Sequence, residues 1–273
     1  MEGKVNIGQI QMHVTADKKQ NVMRGMNQIK RLAEEGAQVV VLPEMFCCPY
    51  QTSLFSEYAE KEGEETFQML SEGARENEVY LIGGSVPEIS EDGKIFNTSY
   101  VFDRSGRKIG KHRKMRLFNI DIKNGQRFRE ADTLSAGEQI TVIDTDYGKI
   151  GVMICFDVRF PELARDMALE GANIIFVPGA FNMTTGPSHW EVLFRARAVD
   201  NQIFMVGTAP AKDEESPYIS YGNSIVVSPW GDVISKMGFG EESKITTIDL
   251  NDVYETRQKM QIIDWGKAET TSK

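Results

Sequence analysis

Short runs rich in valine, isoleucine and aromatic residues recur along the chain. They lie at 4–12, 37–44, 78–86, 97–103, 149–157, 173–181, 203–210, 223–229, 232–238 and 243–250. Each is bounded by Gly, Pro, Asn or Asp, the pattern of β-strands closed by turns. Several, such as 174–177, are apolar at every position, as a strand buried on both faces must be. Three helices are predicted between them. Residues 21–36 place Met23, Met26, Ile29, Leu32 and Ala33 on one face and end at Gly36. Residues 161–171 open with Pro161 and close with Gly171, the expected asymmetry of helix ends. Residues 188–201 carry Trp190, Leu193, Phe194 and Arg197 at helical spacing.

The two halves of the chain read alike. "EEGAQVVVLPE" (34–44) matches "LEGANIIFVPG" (169–179), and "NTSYVFDRSGRKIGK" (97–111) lies over "GNSIVVSPWGDVISK" (222–236). "KVNIGQIQM" at 4–12 parallels "KIGVMICFD" at 149–157, so the matches fall in the same order in each half. The expectation is a pseudo-repeat in which each half is a sheet with two helices on one face. Burying the other face requires sheet against sheet, which gives an α/β fold, a four-layer α-β-β-α sandwich with pseudo-twofold halves. No linker or low-complexity segment interrupts residues 1–273, so a single domain is expected.

Composition narrows the partners. The 273 residues are 41% apolar and carry a formal charge of −9, a field that repels phosphate. The basic cluster "KHRKMR" at 111–116 lacks interleaved aromatics, so no nucleic-acid partner is expected, and Lys111 and Arg113 read as a solvated face. The N-terminus carries charge where a signal peptide needs an apolar stretch, and no apolar run approaches a bilayer span. No membrane association is expected. The three cysteines cannot all pair internally, and neighbours Cys47 and Cys48 have no metal spacing; both read as small apolar residues in a reducing cytoplasm.

Cys155, in "KIGVMICFDVRFPE", ends an apolar strand just before a helix that begins near Pro161. Strand carboxyl ends are where α/β sites are built, and N–H groups entering the next helix are good oxyanion donors. The competing reading is an inert buried thiol. A nucleophilic thiol needs a base. His13, His112 and His189 lack a local signature beside the cysteine, and a carboxylate is the other choice. Glu44 follows Pro43 after the strand "VVVL", in what reads as the topological place Cys155 occupies in its own half. A glutamate there is costly unless paired or used.

"LPEMF", "KHRKMRLF" and "GVMICFDVRFPE" resemble the three blocks of the nitrilase superfamily of carbon–nitrogen hydrolases, and the resemblance spans essentially the whole chain. It implies an α-β-β-α sandwich and a glutamate–lysine–cysteine triad: Glu44 as general base, Lys114 as electrostatic stabiliser, Cys155 as nucleophile. It also implies a supporting Glu130 that positions the lysine and substrate, an oxyanion donor in the Phe156 N–H, and no metal or organic cofactor. In such families C-terminal tails often cross to a neighbouring subunit. A homodimer or higher homo-oligomer is therefore expected, with the tail from about 251, around Ile262, Ile263 and Trp265, as a candidate docking segment.

Within the superfamily, "KHRKMRLFNIDI", "AFNMTTGPSHWEVLFRARAVDNQ" and "SPWGDVI" resemble blocks of the omega-amidase family. That implies hydrolysis of a side-chain amide in small dicarboxylate monoamides such as alpha-ketoglutaramate and alpha-ketosuccinamate. The chain departs from the usual pattern at Arg116 (usually His), Asn119 (usually Asp) and Gln51 (usually Gly). Holding a distal carboxylate asks for an arginine or a ring of polar donors. The expected substrate-binding set is Tyr50, Arg116, Arg159, Phe181, Thr184 and Thr185, with Arg159 alternatively paired to an acid at the helix start. Arg195 and Arg197 read as helix-packing or subunit-contact residues. An N-carbamoyl amine or deaminated glutathione hydrolase would share every catalytic residue, and a catalytically silent scaffold is the reading from another class.

Overall fold

A computed structural model describes residues 3–121 and 127–263. In the first half β1 (Lys4–Gln11), β2 (Val39–Val41) and β3 (Tyr80–Ile82) run parallel, and the meander β4 (Val86–Ile89), β5 (Ile95–Phe102) and β6 (Lys108–Arg113) continues antiparallel from β3. A small hairpin follows, β7 (Asn119–Asp121) with β8 (Arg127–Arg129). The second half repeats the plan. Strands β9 (Thr141–Thr145), β10 (Gly148–Val152), β11 (Ile174–Pro178), β12 (Phe204–Thr208), β13 (Ile225–Val227) and β14 (Val233–Lys236) lie side by side in reverse order, with β10–β11–β12 parallel. The last strand, β15 (Glu242–Asp249), returns to pair antiparallel with β1, as β9 pairs with β10. The hairpins β5–β6 and β13–β14 are the matched segments of the sequence repeat.

The valine runs explain the layering. Val39 and Val41 join Ile174, Phe176, Phe204 and Val206 in a core between the two sheets. Val40 instead faces the helices α1 (Lys18–Glu34) and α3 (Glu65–Glu76), beyond the short α2 (Phe55–Tyr58). Ile175, Val177 and Met205 face α4 (Pro161–Leu169) and α5 (Gly186–Asn201). Strands with apolar neighbours on both sides must be apolar at every position, and the result is the expected α-β-β-α sandwich. The last helix, α6 (Asn251–Lys259), is tied to α5 where the Gln202 side-chain amide donates to the Thr256 carbonyl at 3.2 Å. Ile263 packs into the second-half core of its own chain; Trp265 lies outside the described residues. Among the described residues no helix is long and apolar enough to cross a membrane.

Several local expectations shift. Helix α1 starts earlier, where Asp17 Oδ1 accepts from the Gln20 N–H at 2.9 Å. Its buried stripe runs through Val22, Gly25, Ile29 and Leu32, leaving Met23 half exposed. Gly25 sits where an added Cβ would be 3.3 Å from Leu42, so the helix approaches the sheet through a residue with no hydrophobic signal. The run 78–86 breaks at Gly83–Gly84. Gly84 has φ +59°, and a Cβ there would lie 2.2 Å from the Pro43 carbonyl oxygen. Helix α3 and strands β6 and β9 were not expected. The buried face of α3 is mostly small, with Thr66, Gly73 and Ala74 around Leu70, and β6 reads "KIGKHR".

The equivalence drawn between Glu44 and Cys155 is corrected. Glu44 follows β2, whereas Cys155 follows β10, the counterpart of β1. The true counterpart of β2 is β11, which leads into Gly179 and Ala180. These two equivalent strand ends meet across the pseudo-twofold, where the Ala180 N–H donates to Glu44 Oε2 at 2.7 Å.

Candidate active site

Lys114 directly follows β6, whose alternation sends His112 and Lys114 inward and Lys111 and Arg113 outward. The outward pair is not a solvated face, which corrects the sequence expectation. Arg113 makes a two-pronged bond to the buried Glu88 at 2.9 and 2.8 Å and lies 3.8 Å over the Phe96 ring. Lys111 bridges Glu88 at 3.1 Å and Glu62 at 2.8 Å. A strand whose histidine is buried and whose lysines and arginine are ion-paired needs no apolar run.

Glu44, Lys114 and Glu130 are fully buried and come together. Lys114 Nζ lies 2.9 Å from Glu44 Oε1 and 2.9 Å from Glu130 Oε1, and donates to the Tyr50 hydroxyl at 3.2 Å. The Tyr50 hydroxyl donates to Glu130 Oε1 at 2.5 Å. The other oxygen of Glu130 accepts the Phe118 N–H at 2.6 Å. Glu44 Oε1 also accepts from the Asn97 amide at 2.8 Å. Its second oxygen accepts the Ala180 N–H, and the thiol of Cys155 hydrogen-bonds this carboxylate.

Burial works against the Lys114 charge, but Glu130 and Glu44 outweigh it and hold the ammonium above its ordinary pKa. Burial raises the Cys155 thiol well above its usual value and the Glu44 charge adds to this, with Lys114 opposing. Burial and the neighbouring carboxylate thus favour the neutral thiol over the thiolate. Burial likewise raises Glu130, with Lys114 opposing. Cys155 sits at φ +47° in the turn that follows β10 and Met153–Ile154, a left-handed position costly for a residue with a Cβ. Gly179 makes room for it, since a Cβ there would lie 3.3 Å from Cys155 Cα.

None of the three histidines serves the thiol. His112 Nε2 meets Asp157 Oδ2 at 2.9 Å, and His189 Nδ1 lies 3.1 Å from Arg159. Arg159 has no carboxylate partner among the described residues, contrary to the pairing considered from sequence. Its guanidinium lies 4.7 Å from the Phe181 ring centre and 5.3 Å from that of Phe156, and its buried Nε has no hydrogen-bond partner. Burial lowers its pKa, with Cys155 and Tyr218 opposing. Phe181 packs edge-on against Trp190, whose ring N–H donates to the Asn223 carbonyl at 2.7 Å as a core residue would.

The other expected residues are scattered. Arg116 is exposed and stacks over Phe160 at 5.1 Å, away from the carboxylates. Thr184 is exposed, and the Thr185 hydroxyl is bound to Asn182 at 3.2 Å in the turn that starts α5. Arg197 donates to the Val158 and Arg159 carbonyls, so from α5 it braces the turn that carries Cys155. Cys47 and Cys48 are buried and unpaired in the first-half core. Three contributors escaped the sequence reading: Asn97, Asp157 and Tyr218. Tyr218 packs 4.6 Å from the Tyr50 ring and donates to the Ala180 carbonyl. Asn97 opens a quoted strand and Asp157 lies two residues after Cys155, but nothing in the sequence marks either as pointing inward.

A carbon-nitrogen hydrolase family model matches residues 4–258. Omega-amidase NIT2-B of Xenopus laevis is 48% identical over 95% of this chain and 94% of its own. Human omega-amidase NIT2 is 45% identical over 93% of this chain and 91% of its own. The crystal structure of Saccharomyces cerevisiae Nit3, a member of branch 10 of the nitrilase superfamily, superposes with a TM-score of 0.87 at 40% identity, covering 94% of each chain. With a family model spanning nearly the whole chain and relatives this similar, the chain belongs to the carbon–nitrogen hydrolases of the nitrilase superfamily.

Proposed function

We propose that this chain is an omega-amidase that hydrolyses the side-chain amide of small dicarboxylate monoamides, alpha-ketoglutaramate and alpha-ketosuccinamate being the expected substrates. The observation that carries this reading is a buried thiol bonded to Glu44 and flanked by Lys114, with the Arg159 guanidinium, which meets no carboxylate among the described residues, close by. In this mechanism Glu44 Oε2 takes the Cys155 proton as sulfur attacks the amide carbonyl. The oxyanion is met by the Phe156 N–H and by Lys114, whose longest bond, to Tyr50, is the one it gives up. One such donor contributes about 3–4 kcal/mol in well-studied cases. Glu44 returns the proton to the departing nitrogen, ammonia leaves, and the acyl group remains on sulfur as a thioester. Glu44 then takes a proton from water, which attacks the thioester, and passes that proton to the departing Cys155 sulfur as the acid is released. Glu130 holds Lys114 throughout.

Arg159 supplies the cation for the substrate's distal carboxylate, with Phe181 beneath it and Thr184 and Thr185 at the α5 edge. Arg116 belongs to the outer rim. The relatives named omega-amidase support the same assignment. An N-carbamoyl amine or deaminated glutathione hydrolase would use the same triad, so ammonia release across a panel of amides separates the three. A silent scaffold predicts no release from any. Arg159→Met should raise KM for alpha-ketoglutaramate by roughly 10- to 100-fold, the worth of a charged hydrogen bond, and should leave an uncharged amide unaffected. Equal effects on both would sink the assignment.

A homodimer fits the outer face of α5, which exposes Val192 at 58% and Val199 at 38% beside Arg195. A reducing cytoplasm fits a chemistry that needs its thiol free.

A further inference from the structure

Asp157 is a fully buried carboxylate that the chemistry above leaves unused. Its two oxygens accept four hydrogen bonds from two parts of the chain. Oδ1 takes the Met115 N–H at 3.1 Å and the Arg116 N–H at 2.8 Å, the two residues directly after Lys114. Oδ2 takes the Ile154 N–H at 3.1 Å, the residue before Cys155, and meets His112 Nε2 at 2.9 Å. His112 is also fully buried and anchored at Nδ1 to the Thr141 hydroxyl at 3.1 Å. The nucleophile comes from the second sheet and the lysine from the first, so no single element sets the distance between them. Asp157 is the group that touches both backbones within three residues of each catalytic side chain.

We infer that Asp157, held by His112, is a positioning residue that sets the Cys155–Lys114 geometry and so governs oxyanion stabilisation, not thiol activation. The inference rests on the proposed amidase chemistry. The shape of the site argues for it. Glu44 reaches the thiol from a third segment, and besides its bond to Lys114 it is held by Asn97 and Ala180, neither of which Asp157 touches. Loosening the clamp should therefore leave the Glu44–Cys155 pair intact while moving Lys114 relative to the acyl carbon. An offset on the order of 1 Å at an active site costs about 100-fold.

The test compares Asp157→Asn, His112→Leu and His112→Gln with the wild type. Asparagine has the same shape but presents N–H groups where backbone N–H groups need an acceptor. Glutamine can still place an amide N–H toward Asp157, and leucine cannot. Three readouts are needed: turnover of alpha-ketoglutaramate and, in parallel, of butyramide; alkylation of Cys155 by iodoacetamide, which forms no oxyanion; and melting temperature. The expected result is that Asp157→Asn loses about 30- to 100-fold in kcat on whichever amide the wild type hydrolyses. Its KM and alkylation rate should stay within about threefold of wild type. His112→Leu should lose part of that rate and His112→Gln should regain most of it. Unchanged kcat in Asp157→Asn and His112→Leu overturns the inference. So does a parallel fall in alkylation and turnover, which would mean general collapse of the site. Wild-type activity on butyramide without activity on alpha-ketoglutaramate counts against the substrate assignment alone, because the clamp is read from the ratio of variant to wild type.

Discussion

At the scale of single residues, the site is a problem of buried charge. Glu44 and Glu130 share one cation, Lys114, and all three are out of water. Such a group is tolerated only when its lone pairs and protons are matched, and here the three Lys114 protons meet two carboxylates and one hydroxyl. The two oxygens of Glu44 are thereby made different. Oε1 accepts from Lys114 and Asn97, which leaves Oε2, bonded to the Ala180 N–H, as the oxygen the proposed mechanism uses. Glu44→Gln keeps the shape but not the base, and should lower kcat by about 10²- to 10⁴-fold with KM little changed. Steady-state ammonia release checks it, and a variant retaining a tenth of the wild-type rate would remove Glu44 from the mechanism. Identity of the triad was legible at this scale because residue types and block order carry it. The partners Asn97, Asp157 and Tyr218 were not, because a polar residue's inward direction depends on strand register that only pairing reveals.

Elements account for how precisely those groups are held. Strands β2 and β11 are apolar on both faces because helices cover one face of each and the opposite sheet covers the other. Phe176 lies between the sheets with no exposure, directly upstream of the Gly179–Ala180 turn that contacts Glu44. Phe176→Ala should cost about 3–5 kcal/mol of stability, the usual range for a buried aromatic truncated in a core. Urea unfolding measures it; a loss below about 1 kcal/mol would mean that the sheet interface can collapse around the gap. The continuously apolar strands were legible from their runs. Strand β6 was not, although it positions Lys114. Its stabilisation comes from Arg113 and Lys111 on Glu88, and a pairing between charges distant in sequence leaves no periodic trace.

For the molecule as a whole, the same Glu88 network makes a statement about acid. Burial alone would raise the Glu88 carboxyl, but bonds from Arg113, Thr98 and Lys111 prevail and hold it at about 2, below the ordinary 4.5. A carboxylate depressed in the folded state contributes stability above its unfolded pKa and loses it as pH falls toward the folded one. Melting temperature should therefore decline between about pH 5 and pH 2, and Glu88→Gln should flatten that decline. Equal slopes in both proteins would show that other groups govern acid unfolding.

The sequence by itself pointed to the two-sheet sandwich and to Glu44, Lys114, Cys155 and Glu130 as the candidate site. Hydrophobic periodicity and block order are local properties, and burying two one-faced sheets has one economical solution. The tertiary structure alone decided which strand ends meet, that Glu44 faces the counterpart of its own strand, and that Arg159 has no acid partner among the described residues. It also decided that a buried Asp157 joins the two sheets beside the thiol. These are contacts between segments far apart in the chain, and only packing the sheets face to face brings them within hydrogen-bonding reach.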